Sequence, residues 1–460
     1  MQTVISFLLL LATLAAPVQV WAQQKTSSKT TAEKVEEYLT KCAKLQRFNG
    51  TVLAARKGTI LLKKGYGWRN VSKKIPNDTN SIYQLGSITK TFTGAVILKL
   101  QEENKLSLKD KLHKFFPDYP NGDKITLEQL FYHTSGIYDF KSILYGPDSA
   151  KVTRPVSKAW VLAQFKDKPL RAEPGTAVNY TNSGYFLLGL IVEKVTGKPF
   201  ETVVRERFLK PLRLTKTGFD LINLKNSGKT TGYIFWKDSV LVETPAVDST
   251  VAYAAGGMYS TVDDLYRWSR VVQNRTMLKP ETWDSALTPP NQGAWGYGWG
   301  VSYFNEGKKL IFQNGNIPGF ATFYIQVPED DVVIILLCNV DDTSDLTSLE
   351  PIATDLLKIM YNMPYQLPVE RKAVAVDESV LRQYVGTYRL DAERTIAVTL
   401  EASKLFLQVT GQPKFEMFAE NETNFFLKVI DVQLTFDKDA GGKVSQLVVH
   451  QNGDHVAKRL

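Results

Sequence analysis

The stretch "FATFYIQVPEDDVVIILLCNV", residues 320–340, holds two apolar runs with a turn between them. Pro328, Glu329 and Asp330 supply the turn, because proline presets one backbone angle and short acidic side chains bond to nearby N–H groups. Each run is rich in β-branched and aromatic residues and short enough for a strand. The pair therefore reads as neighbouring strands of an antiparallel sheet. Two similar runs stand far upstream, "GTVLAARKG" at 50–58 and "TILLKKGYG" at 59–67, and another strand candidate covers 309–313. Between these groups, from about residue 87 to about residue 290, the pattern is mostly helical with long loops. Strands at both ends and helices between them predict an α/β (α+β) fold: one antiparallel sheet flanked by helices and split by a helical subdomain. Helices are also predicted over 31–47 and around Leu346, Leu349, Ile352, Leu356 and Ile359, which share one side.

The segment "YNMPYQLPVERKAVAVDES" breaks the pattern with two prolines and charge. Residues 366–378 read as a linker that closes a first domain over 23–365. Beyond it the apolar period becomes two. Ile396, Val398 and Leu400 alternate, as do Leu405, Leu407 and Val409, and then Val432, Leu434 and Phe436. Turn pairs Gly441-Gly442 and Asn452-Gly453 separate runs. Residues 379–460 are expected to form a small all-β barrel or sandwich.

Of the 460 residues, 43% are hydrophobic and 22% charged, which excludes a disordered chain. The net charge is +9, but the lysines are scattered, as in "KKGYGWRNVSKK". No basic helix interleaved with aromatics appears, so nucleic acid is not an expected partner. The N-terminus "MQTVISFLLLLATLAAPVQVWAQQ" has an apolar run from Val4 to Val18 and small residues before Ala22. Residues 1–22 read as a secretory signal peptide, although no Lys or Arg precedes the run. The run is shorter than the about 20 residues a spanning helix needs. The expectation is an exported protein, periplasmic or extracellular, without stable membrane insertion. Cys42 lies on the apolar face of the first helix and Cys338 ends an apolar strand, so both are expected in the core rather than in a bridge. The sequence says nothing about oligomeric state.

Metal chemistry is not expected: the four histidines form no H-E-x-x-H and the cysteines no C-x-x-C. No phosphate-binding glycine loop is present and no cofactor is implied. His133, in "FYHTSGIYDF", has no nucleophile elbow with it and reads as part of a turn. What remains is "QLGSITKTFTG", residues 84–94. Ser87 and Lys90, three apart at a helix start, share a face. The helix N-terminus suits an oxyanion, and a lysine kept from water has a lowered pKa and can take a serine's proton. "EPGTAVNYTNSGYFLLG" adds Tyr180 and Asn182 just ahead of an apolar helix. A tyrosine can relay a proton and an asparagine can bond a substrate amide.

S-x-x-K followed by Y-x-N in this setting resembles the penicillin-recognising serine hydrolases, of the class C β-lactamase, D-alanyl-D-alanine carboxypeptidase and esterase type. "FNGTVLAARKGTILLKKGYGW", "ITLEQLFYHTSGI", "YFLLGLIVEKVTGKPF", "AAGGMYSTVDDLYRW" and "NIPGF" resemble family segments in family order, over roughly residues 30–360. The tail resembles the lipocalin-like β domain often appended to such hydrolases. The resemblance implies Ser87 as acylated nucleophile, Lys90 as its activating partner, Tyr180 as proton relay and Asn182 as substrate contact. It also implies an oxyanion hole that includes the Ser87 N–H. The third family box, K-T-G or H-x-G, is altered. Lys216-Thr217-Gly218 is a literal match but follows a helix and carries no strand signal, so it reads as a surface loop. In "LIFQNGNIPGFATFYIQV", Gln313-Asn314-Gly315 takes the H-x-G place. Gln313 would stand for the basic residue, Gly315 would admit the substrate backbone, and the Asn316 N–H would complete the oxyanion hole. The function implied is cleavage of an amide or ester in a small molecule or peptide through an acyl-enzyme. The alternative is a catalytically weak sensor of cell-wall fragments.

Overall fold

The computed structural model describes residues 29–145, 151–236, 240–289, 295–305, 307–341, 349–412, 414–427, 432–450 and 454–460. The expected signal peptide and the Asn452-Gly453 turn lie outside the described residues. The first helix, α1 (Thr31–Lys44), starts at a capping box in which the Thr30 hydroxyl accepts from the Glu33 N–H and the Glu33 carboxylate accepts from the Thr30 N–H. It ends at Lys44, short of the expected 47. Its apolar face, Val35, Tyr38, Leu39 and Cys42, is buried.

Six antiparallel strands follow the expected split. They are β1 (Gly50–Arg56), β2 (Thr59–Tyr66), β3 (Gly300–Phe304), β4 (Lys308–Ile317), β5 (Phe320–Val327) and β6 (Val332–Cys338). Their order across the sheet is β3-β4-β5-β6-β1-β2, so the late strand β6 lies beside the early strand β1, with Val52 opposite Leu336. The turn in the opening stretch is real: residues Pro328–Asp330 form one 3-10 turn, and Asp331 follows with φ +47°. The uninterrupted apolar run of β6 has a plain cause. Side chains alternate across a strand, and both faces of this sheet are covered. Val332, Ile334, Leu336 and Cys338 join one core cluster with α1 and with the helix Leu349–Met360. Val333, Ile335 and Leu337 join the other, with the helical insertion. Cys42 and Cys338 are buried, unpaired thiols in the first of these clusters.

The insertion contributes three helices that matter below: α2 (Thr89–Glu102), α3 (Asn182–Thr196) and α4 (Ser249–Gly256). After the linker, eight antiparallel strands between Gly386 and Arg459 close into a barrel. Of the residues expected to alternate inward, Ile396, Val398, Leu405, Leu407, Val432, Leu434 and Phe436 are buried in its core, and Leu400 and Val409, near strand ends, are half-buried against it. The helix Glu378–Tyr384 adds Tyr384, whose ring stacks on Phe436 at 4.2 Å. The linker is tied to the barrel through the Val374 N–H, which donates to the Ala419 carbonyl, and through the Arg371–Glu420 ion pair. Among the described residues no helix is long and apolar enough to cross a membrane.

Candidate active site

Ser87 stands in a 3-10 turn, Gly86–Ile88, that runs directly into α2. Lys90 lies one turn on, buried at 1% exposure. Its Nζ is 2.9 Å from Ser87 Oγ, 2.8 Å from Asn182 Oδ1 and 2.8 Å from the Ala255 carbonyl. All three are acceptor oxygens. The Ala255 carbonyl reaches Lys90 after a kink at Tyr253, whose φ of 40° and ψ of −130° are strained for a non-glycine residue. Burial pushes the Lys90 pKa down to about 7, because an ammonium loses its hydration there, while the Asp139 charge opposes the fall. A neutral amine has two N–H donors and one lone pair. Asn182 and Ala255 can take the donors, which leaves the lone pair for the Ser87 hydroxyl proton.

Tyr180 approaches Ser87 from the other side, and its hydroxyl donates to Ser87 Oγ at 2.9 Å. Burial raises the Tyr180 pKa, so the phenol is protonated at neutral pH and no standing tyrosinate exists. Its ring stacks on His133 at 4.2 Å. The Thr181 N–H donates to His133 Nδ1 at 3.1 Å, so the imidazole proton sits on Nε2. Burial first, then the Lys90 charge, hold His133 neutral. His133 thus braces Tyr180, in keeping with the turn reading.

Strand β4 closes the site. A side chain at Gly315 would place its Cβ 2.0 Å from the Leu85 carbonyl and 2.8 Å from the Ser87 nitrogen, and one at Gly86 would come 3.0 Å from the Asn316 nitrogen. Glycine at 315 therefore admits the protein's own turn, where sequence reasoning has it admit substrate. The result is that the Ser87 and Asn316 N–H groups belong to two backbones in close apposition. Thr322 fastens them, its hydroxyl lying 2.7 Å from the Leu85 carbonyl and 3.2 Å from the Gly315 carbonyl. Gln313 is fully buried, and its amide donates to the Asn314 carbonyl and reaches the Tyr180 hydroxyl. The polar side chains of β4 that border the cleft are Asn314 and Asn316.

Lys216-Thr217-Gly218 lies elsewhere. Residues Gly218–Phe219 form a short strand paired with Met258–Ser260, so the surface-loop expectation is corrected for Thr217 and Gly218, which are buried. The Thr217 hydroxyl bonds to Ser260 and Asp264, and Lys216 reaches Asn80. None of the three borders the cleft at Ser87. That cleft measures about 320 Å³. Phe140, Leu144, Ala252, Trp295 and Ile317 give it apolar walls, and Lys141 is the cation bordering it among the described residues. No group of residues suited to a metal occurs among the described residues. Sequence reasoning missed Asp139, which touches Asn182. Its only signal was a single acid inside the otherwise apolar "GIYDF".

A family model described as Beta-lactamase matches residues 32–357, and one described as a domain of unknown function (DUF3471) matches residues 370–457. Penicillin-binding protein 4* of Bacillus subtilis (strain 168) is 27% identical over 437 residues, covering 90% of this chain and 95% of that protein. Among solved structures, the octameric penicillin-binding protein homologue from Pyrococcus abyssi superposes with a TM-score of 0.66 at 23% identity, covering 92% of this chain and 99% of the other. A D-stereospecific amidohydrolase from Streptomyces sp. superposes with a TM-score of 0.58 at 25% identity, covering 68% and 94%.

Proposed function

The chain belongs to the beta-lactamase family, and from that premise we propose that it is an exported serine hydrolase that cleaves an amide or ester through an acyl-enzyme on Ser87. One observation carries the reading: Lys90 Nζ and the Tyr180 hydroxyl each lie 2.9 Å from Ser87 Oγ. Neutral Lys90 takes the Ser87 proton as Oγ attacks the substrate carbonyl carbon. The Ser87 and Asn316 N–H groups face the developing oxyanion. The proton passes to the leaving amine or alcohol by way of Tyr180, and the carbon–heteroatom bond breaks. Water then attacks the ester of Ser87 and releases the acid. The free N–H of the Asn182 amide is available to a substrate carbonyl.

The apolar walls favour a hydrophobic acyl group, and the likeness to a D-stereospecific amidohydrolase supports amides of D configuration as candidates. The H-x-G position holds an uncharged glutamine, and charge-assisted hydrogen bonds are roughly twice as strong as neutral ones. Neutral esters are therefore preferred over β-lactams and free-carboxylate peptides, unless Lys141, the cation bordering the cleft, reaches a substrate carboxylate. The test is intact-mass analysis after exposure to a fluorophosphonate and, separately, to a penicillin. One adduct is expected with the fluorophosphonate, and Ser87→Ala abolishes it. An undiminished adduct on Ser87→Ala, or one mapped to Ser135, would sink the assignment.

A further inference from the structure

We infer that Asp139 is a positioning residue for this site: it orients the Asn182 amide so that the oxygen, and not the nitrogen, faces Lys90. The inference rests on the acyl-enzyme reading above. Asp139 is 8% exposed. One carboxylate oxygen accepts from the Asn182 main-chain N–H at 2.9 Å, and the other lies 3.4 Å from Asn182 Nδ2. An ionised carboxylate only accepts, so only the NH2 end of the amide can face it. Asn182 Oδ1 is thereby turned to Lys90 Nζ at 2.8 Å. A flipped amide would set two donors against each other and leave a Lys90 N–H without its acceptor. With that acceptor gone, only the Ala255 carbonyl would remain to aim the Lys90 lone pair at Ser87.

Asp139 is itself held on both sides. The Ser183 hydroxyl donates to the Tyr138 carbonyl at 2.7 Å and accepts from the Phe140 N–H at 3.1 Å. Upstream, the Asn179 N–H donates to the His133 carbonyl at 2.7 Å. Residues 133–140 are thus fastened along the chain that leads into α3, and the carboxylate has one place to be. A second consequence follows from charge. The groups facing Lys90 are Ser87 on its own turn, the Tyr180 ring at 5.0 Å, the Tyr185 ring at 5.4 Å and Asn182 along α3, the Ala255 carbonyl on α4 and neutral His133. Asp139 is the anion acting on it, and it favours the ammonium against burial.

The experiment follows the rate of fluorophosphonate labelling of the full chain against pH. In Asp139→Asn the plateau should fall about tenfold to a hundredfold, the effect of one misdirected buried hydrogen bond. Its acid limb should move to lower pH, because the anion that favoured protonated Lys90 is gone. In an Asn182→Ala background, Asp139→Asn should lower the plateau little further. Asp139→Glu keeps the charge but displaces it; its plateau should fall with the limb near that of the wild type, which keeps the idea testable if Asp139→Asn does not fold. A profile for Asp139→Asn that superimposes on the wild type overturns the inference. So does a lowered plateau with an unmoved limb, which would mark Asp139 as a support for the start of α3 alone. A wild-type chain that takes no label overturns the hydrolase reading and this inference together.

Discussion

Lys216-Thr217-Gly218 and Gln313-Asn314-Gly315 look interchangeable as short motifs, but they occupy different surroundings. The first pairs its glycine with a short strand and turns its threonine to Ser260 and Asp264. The second lies on a ten-residue strand whose glycine receives the turn that carries Ser87. A Cβ at Gly218 would meet the tips of the Arg205 and Tyr259 side chains, whereas one at Gly315 would meet the main chain of Leu85 and Ser87 together with the Thr322 hydroxyl. A three-letter match reports composition. What makes a motif part of a site is the backbone that approaches it, and a side-chain tip can move aside where a packed main chain cannot.

The largest effects should appear where the second motif leads, at Lys90 and Tyr180. Lys90→Ala and Tyr180→Phe should each lower the labelling rate by about 10³- to 10⁴-fold, and the double variant by little more, because groups acting as a unit are not additive. In the wild type the rate should rise with pH through about 7, where Lys90 gives up its proton. Losses that simply add in log rate would argue for two independent residues. Next in size is the pair of glycines. Gly315→Ala should cost about 10²- to 10³-fold by parting the Ser87 and Asn316 N–H groups, and Gly218→Ala should leave the rate within about threefold, at a cost in stability of the order of 1 kcal/mol. Equal losses in the two would dissolve the distinction drawn between the motifs. The smallest effect is expected at Lys216. Lys216→Ala should change unfolding free energy by less than about 0.5 kcal/mol and labelling not at all; if it abolishes labelling, the strand assigned to the site is the wrong one.

Much of the molecule was legible before its structure. The sheet could be read from the apolar runs because burial on both faces leaves no polar position in β6, and the barrel because burial on one face imposes a period of two. Ser87 and Lys90 were legible as candidates because helix starts place residues i and i+3 on one face, and Tyr180 and Asn182 because they stand two apart just ahead of an apolar helix. Gln313 was legible in position but not in direction: its alternation along β4 turns it inward to Tyr180, while Asn314 and Asn316 border the cleft. Asp139 was hidden because its partner is 43 positions away and the pairing depends on two loops meeting.

Sequence alone determined what each segment could become, since strand period, helix face and turn chemistry are local properties of a few neighbouring side chains. It also carried the family likeness across most of the chain. Tertiary structure alone decided which acceptors surround Lys90, that one of them is the main-chain carbonyl of Ala255, and that Gly315 makes room for the turn bearing Ser87. Those are properties of chain segments remote in sequence. A main-chain carbonyl carries no residue-type signature, and the cost of burying an ammonium depends on everything packed around it.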